Sequence, residues 1–104
     1  MNDLLIKIGM DLSSFILKNT PNKSHFKIKK NKDTKDINEK IYSYICYGYI
    51  NYEPVIIDYN YSLELNKSYM TINNRYNTET LEMDGYESDN FTPWFNKIIE
   101  RDLL

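Results

Sequence analysis

Alanine and glutamine are missing altogether from the 104 residues, valine occurs once, and cysteine and histidine occur once each. Each shortage closes a class of function. A lone thiol, Cys46, has no partner for an intramolecular disulfide, so a stapled secreted scaffold is excluded. A structural zinc site needs four Cys or His ligands, and His25 and Cys46 are the only two. The three glycines, Gly9, Gly48 and Gly85, lie too far apart to form a phosphate-cradling loop. No apolar run approaches the roughly 18 residues that would span a bilayer. Lys7 and Asp11 interrupt the segment where a signal peptide would be apolar, and no Ala-x-Ala site is present, so the expected location is the cytoplasm.

What is abundant is equally lopsided. Thirteen Ile, thirteen Asn and ten Tyr point to an AT-rich gene, as in low-GC bacteria, mobile elements and viruses. Hydrophobic and charged residues make up 41% and 27% of the chain, ordinary proportions for a folded domain, and the length fits one domain, residues 1–104. The net charge of −2 conceals a division. Residues 1–50 carry nine lysines against five acids, a net +4, whereas residues 51–104 carry four basic residues against ten acids, a net −6. Such asymmetry suggests a charged partner.

Periodicity gives the layout. Leu5, Ile8, Leu12, Phe15 and Ile16 recur at helical spacing, predicting an amphipathic helix over 3–18 capped by Asn2 or Asp3 and ended by Thr20-Pro21-Asn22. Gly9 within it suggests close approach to a strand. From Ser24 the period becomes two, with Phe26 and Ile28 alternating with lysines. Turn composition over Asn31–Asn38 precedes a strand from Lys40 to Tyr52. Both faces of that strand carry large side chains, which predicts cover on both sides, and Gly48 suits a bulge or bend. Further strands are expected over Val55–Leu65, Lys67–Ile72 (ending at Asn73-Asn74 with left-handed geometry) and, as a short edge, Thr78–Met83. A turn at Asn51–Pro54 separates the first of these from its predecessor. A polar loop from Asp84-Gly85 to Asn90 leads to a last helix with Thr92 as N-cap, Pro93 at its first position, and Trp94, Phe95, Ile98 and Ile99 on one face. The fold class is therefore α+β: an N-terminal helix, a four- or five-stranded antiparallel sheet and a C-terminal helix, with both helices on one face.

No catalytic constellation emerges. His25 and Cys46 could meet on adjacent strands, but nothing supplies a third, orienting group, and Cys46 reads as a small buried strand residue. Asp58, Glu64 and Lys67 approximate a metal-dependent nuclease pattern, yet the acid and the lysine are three residues apart and alternation sends them to opposite faces. Glu82, Asp84, Glu87 and Asp89 cluster beside Gly85 without the calcium-loop order of ligands. No enzyme activity, metal or cofactor is expected.

Two surfaces remain. Lys23, Lys27, Lys29, Lys30 and Lys32 form a basic run, and tyrosines on the following strand could stack on bases; against this stand the missing arginines and the acidic second half. Between Arg75 and Lys97 there is no basic residue, while Glu79, Glu82, Asp84, Glu87 and Asp89 are interleaved with Tyr76, Tyr86 and Phe91. Acids spaced in this way compete for the Lys and Arg with which a nucleic-acid-acting protein grips phosphates. The expected partner-binding residues are Glu79, Glu82, Asp84, Tyr86, Glu87 and Asp89, with Tyr86 as the anchor. Tyr69, Tyr76 and Tyr86, near turns and acids, are expected to be exposed.

The opening Lys7-Ile8-Gly9-Met10-Asp11-Leu12-Ser13 is similar to the first helix of some bacterial toxin-immunity families. With the acidic second half and the helix–meander–helix layout, the chain resembles the immunity proteins of contact-dependent growth-inhibition systems. That resemblance implies a non-enzymatic inhibitor whose partner is a cognate protein toxin, often a nuclease, or another basic protein acting on nucleic acid. It carries no functional residue across. Neither a membrane nor nucleic acid itself is the expected partner. The alternatives are a phage anti-defence inhibitor of the anti-CRISPR kind and a small nucleic-acid-binding module using the 23–32 run.

Overall fold

The computed structural model describes residues 3–21, 24–30 and 41–104. The proposed cap at Asn2, the helix-ending Asn22, Lys23, Lys32, the turn over 31–38 and the start of a strand at Lys40 lie outside them. Helix α1 (Asp3–Asn19) is followed by strands β1 (His25–Lys30), β2 (Ile41–Ile50), β3 (Glu53–Ser62), β4 (Lys67–Asn74) and β5 (Thr78–Asp84). A one-turn 3-10 segment (Ser88–Phe91) leads into α2 (Thr92–Ile98), which continues as a π-helical turn over Ile99–Leu103. The strands form one antiparallel meander in the order β1-β2-β3-β4-β5, the α+β layout that the periodicities imply.

Both helices cover one face of this sheet. Ile8, Leu12, Phe15 and Ile16 of α1 and Phe95, Ile98 and Ile99 of the C-terminal segment are buried against Tyr44, Cys46 and Ile50 of β2, Val55, Ile57, Tyr59 and Tyr61 of β3, and Met70 and Ile72 of β4. The rings of Phe15 and Phe95 meet edge to face at 5.0 Å where the helices touch. Tyrosines in this layer find partners for their hydroxyls, as buried phenols must. Tyr44 donates to the Leu5 carbonyl, Tyr59 to the Tyr86 carbonyl, and Tyr61 to Asn66 Oδ1 at 2.8 Å. Gly9 makes the room that Tyr44 needs: a methyl group there would lie 3.0 Å from the phenolic oxygen.

The turns follow local chemistry. β2 and β3 are joined by the two-residue loop Asn51-Tyr52, both at positive φ, the twist that tight hairpins require. Pro54 lies inside β3 rather than in the turn; β4 pairing begins at Val55↔Asn74, so its missing N–H costs no ladder bond. Asn66 takes the left-handed geometry at the β3–β4 turn. Asn74 does not, contrary to expectation. Its side chain instead accepts from the Tyr76 and Asn77 amides at 2.7 and 2.9 Å, closing the β4–β5 turn without positive φ.

Three other expectations are corrected. Among the described elements β2 is covered by helices on one side only, because both lie on the face of Tyr42, Tyr44, Cys46 and Ile50; on the other face Tyr47 and Tyr49 are 43% and 54% exposed. Gly48 forms no bulge, since β1 and β2 pair without interruption from His25↔Tyr49 to Lys30↔Tyr44. It permits close strand approach instead: a methyl group would sit 1.7 Å from the His25 carbonyl oxygen. The cap of α2 is Phe91, making Thr92 its first residue, because the preceding 3-10 turn already satisfies that helix end.

Candidate functional site

Strand alternation distributes the acidic stretch along the β5 border of the sheet, on both of its faces. Glu82 and Asp84 project onto the open face, where their cross-strand neighbours are Tyr69 and Lys67. Lys67 Nζ lies 3.0 Å from Glu82 and 3.9 Å from Asp84. These two carboxylates raise the lysine's pKa, chiefly through the hydrogen bond to Glu82. Glu79 has the opposite parity and turns to the helix side, where Arg101 holds it at 2.5 Å.

Beyond Gly85, whose positive φ of 79° reverses the chain, the loop folds back beside α1. Tyr86 is half-buried, so its expected exposure is corrected: its ring stands edge-on to Tyr61 at 5.5 Å, and Lys7 Nζ lies 5.6 Å from its centroid. Tyr69 is half-buried too, while Tyr76 is exposed as expected. Glu87 and Asp89 are exposed and line an open polar cleft of about 360 Å³ with Lys7, Asp11, Ser14 and Lys18. Within it Lys18 approaches Asp89 at 3.8 Å. The six residues singled out in the sequence are thus brought to one border, with Glu82 and Asp84 on one side and Glu79, Tyr86, Glu87 and Asp89 on the other.

Arg101 and Asp102 were not singled out, yet they organise the far end of this border. Asp102, with a side chain only 5% exposed, receives Arg101 Nε at 2.8 Å, Asn74 Nδ2 at 3.1 Å and Asn77 Nδ2 at 3.2 Å. Arg101 first, then the two asparagines, hold its carboxyl well below the usual carboxylate range. The hairpin and the last helical turn are tied together by this cluster. Nothing in the sequence marks it, because Asn74 and Asn77 lie 28 and 25 residues from Asp102.

The constellations considered for chemistry do not assemble. Cys46 is fully buried on the helix side between Ile28 and Ile57, whereas His25 lies outward, beside Tyr49. Burial, and secondarily the charge of Asp58, push the Cys46 thiol up to about 12, so it is a poor nucleophile at neutral pH. Asp58 sits mid-strand opposite Thr71, Glu64 belongs to the β3–β4 turn, and Lys67 is engaged by Glu82. Among the described residues no three His, Cys, Asp or Glu side chains converge as a metal site, and no helix is long and apolar enough to cross a membrane. No protein-family model, curated protein or solved structure matches this chain.

Proposed function

We propose that the chain is a non-enzymatic inhibitor that binds and masks a basic, nucleic-acid-acting protein, as an immunity protein does for its cognate toxin. The supporting observation is the placement of Glu82 and Asp84 on one side of an edge strand and of Glu79, Glu87 and Asp89 on the other. A basic cleft clasping the β5 border meets carboxylates on both walls. The internal pairs do not prevent this. Lys67–Glu82, Lys18–Asp89 and Arg101–Glu79 are solvent-exposed, and such pairs contribute only about 0–1 kcal/mol, so a partner's arginines can replace them at little cost. Tyr86, packed on Tyr61 and held through its carbonyl by Tyr59, fixes the loop in one conformation and lowers the entropy cost of docking.

The test is cellular and then biochemical. The gene is expected beside one encoding a toxin; co-expression should protect cells, and the purified proteins should form a complex in which the toxin's activity is lost. Unchanged toxicity together with no complex would sink the reading.

A further inference from the structure

The open face of the sheet carries a second surface, at the border opposite the acids. His25, Lys27 and Lys29 of β1 all project there, and their cross-strand neighbours on β2 are Tyr49, Tyr47 and Ile45. Directly opposite residues have Cβ atoms about 5 Å apart, so each cationic or imidazole side chain stands beside an aromatic or aliphatic one. Tyr47 and Tyr49 share the face two residues apart on one strand, about 6.8 Å along it. Both rings are substantially exposed, and neither hydroxyl has a hydrogen-bond partner among the described residues. With His25, Phe26, Lys27 and Gly48 they line an open cleft of about 460 Å³.

Among the described residues the charges on this border have no ionic partner. Ion pairs among the described residues engage Lys7, Lys18, Lys67, Arg75 and Arg101, and none engages Lys27, Lys29 or Lys30. We infer that this corner of the open face binds single-stranded nucleic acid, with two successive bases stacked on Tyr47 and Tyr49 and the backbone running past Lys27 and Lys29. An acidic protein segment would satisfy the lysines but leave two exposed rings at nucleotide spacing unexplained; bases and phosphates together use both. Neutral hydrogen-bonding side chains, Asn60, Asn73, Thr71 and Thr80, continue the face inward. Asp58, on that face beside Ile45, keeps the phosphates at the β1 side. This surface is separate from the β5 border, so it stands or falls independently of the inhibitor reading.

The experiment is fluorescence anisotropy with an end-labelled single-stranded octathymidine, a duplex of equal length, and a polyglutamate peptide as competitor. Wild-type protein should bind the single strand with a Kd of about 10⁻⁵ M at low salt, and log Kobs should fall with log salt at a slope of about −1.4 for two phosphates neutralised. The duplex, whose bases are not free to stack, should bind at least tenfold more weakly. Tyr47→Thr with Tyr49→Thr should weaken single-strand binding tenfold or more, about the loss expected for removed base stacking. Lys27→Glu with Lys29→Glu should abolish it. Equal affinity for duplex, or binding indifferent to the tyrosine pair, would reduce the surface to a nonspecific polyanion site and overturn the proposal. Binding of polyglutamate but not of octathymidine would overturn it in favour of an acidic protein partner. The salt and duplex comparisons use unmodified protein and hold even if a variant fails to fold.

Discussion

β1 and β5 are both edge strands of the same sheet, four strand spacings or about 19 Å apart. They finish it in opposite ways. On β5 the charges are acidic and mostly paired: Glu79 with Arg101, Glu82 and Asp84 with Lys67. On β1 they are basic and have no ionic partner among the described residues. The comparison teaches that a net charge of −6 in one half of a sequence is not the charge a partner meets. Exposed pairs reduce the local field at β5, while Lys27, Lys29 and Lys30 at β1 have no counter-charge among the described residues to reduce theirs. Both borders discourage uncontrolled edge-to-edge pairing by carrying charge, a device edge strands require.

Gly48 tests the β1 border most severely. A valine there would force its Cβ into the His25 carbonyl oxygen at 1.7 Å, a backbone atom that no side-chain rotation can move aside, and the strands would have to separate. Gly48→Val should cost about 3 kcal/mol or more in urea denaturation, or abolish cooperative unfolding. A loss below about 1 kcal/mol would mean that β1 is not held as closely as described.

Next in size is the tether of the acidic loop. Tyr59→Phe leaves the Tyr86 carbonyl without its buried donor and should cost about 1–2 kcal/mol, whereas Tyr47→Phe on the open face should be near neutral. Equal losses would erase the distinction between the covered and open faces.

Smaller again is the acid dependence of the Asp102 cluster. Its carboxyl is depressed in the folded state, so its contribution is fully present above the unfolded carboxylate pKa of about 3.9 and is lost as pH falls through the folded value. Asp102→Asn should therefore be less stable at neutral pH and show a flatter stability profile below about pH 4. A variant with the wild-type acid profile would show that Arg101, Asn74 and Asn77 do not hold the group as an anion. The smallest effect belongs to the exposed acids: reversing Glu82, Asp84, Glu87 and Asp89 to Lys should leave the circular dichroism spectrum unchanged, with each site contributing about 0.5 kcal/mol or less.

Much of this architecture was legible in the residues. Period-3.6 and period-2 patterns located α1 and all five strands, and Gly9 correctly signalled an approaching strand side chain, that of Tyr44. What alternation could not supply was cover. Tyr47 and Tyr49 look as buriable as Tyr44, and only the placement of both helices on one face leaves them exposed. Turn chemistry was ambiguous for a similar reason: thirteen asparagines offer many left-handed sites, of which Asn51 and Asn66 adopt that geometry while Asn74 closes its turn with its side chain. The acidic residues were found by composition, but which face each occupies depended on register. Arg101 and Asp102 carried no local signal at all.

The proposal that the β5 border docks a basic partner is tested most directly by the association rate between this chain and the proposed cognate toxin, followed by stopped-flow at several ionic strengths. Reversal of Glu82, Asp84, Glu87 and Asp89 should slow association at least tenfold and weaken its salt dependence, because charges at the rim act mainly on the on-rate. Lys27→Glu with Lys29→Glu, on the opposite border, should leave that rate unchanged or faster. An association rate indifferent to the four reversals, or one that falls only with the β1 substitutions, would contradict the assignment of the β5 border as the docking surface.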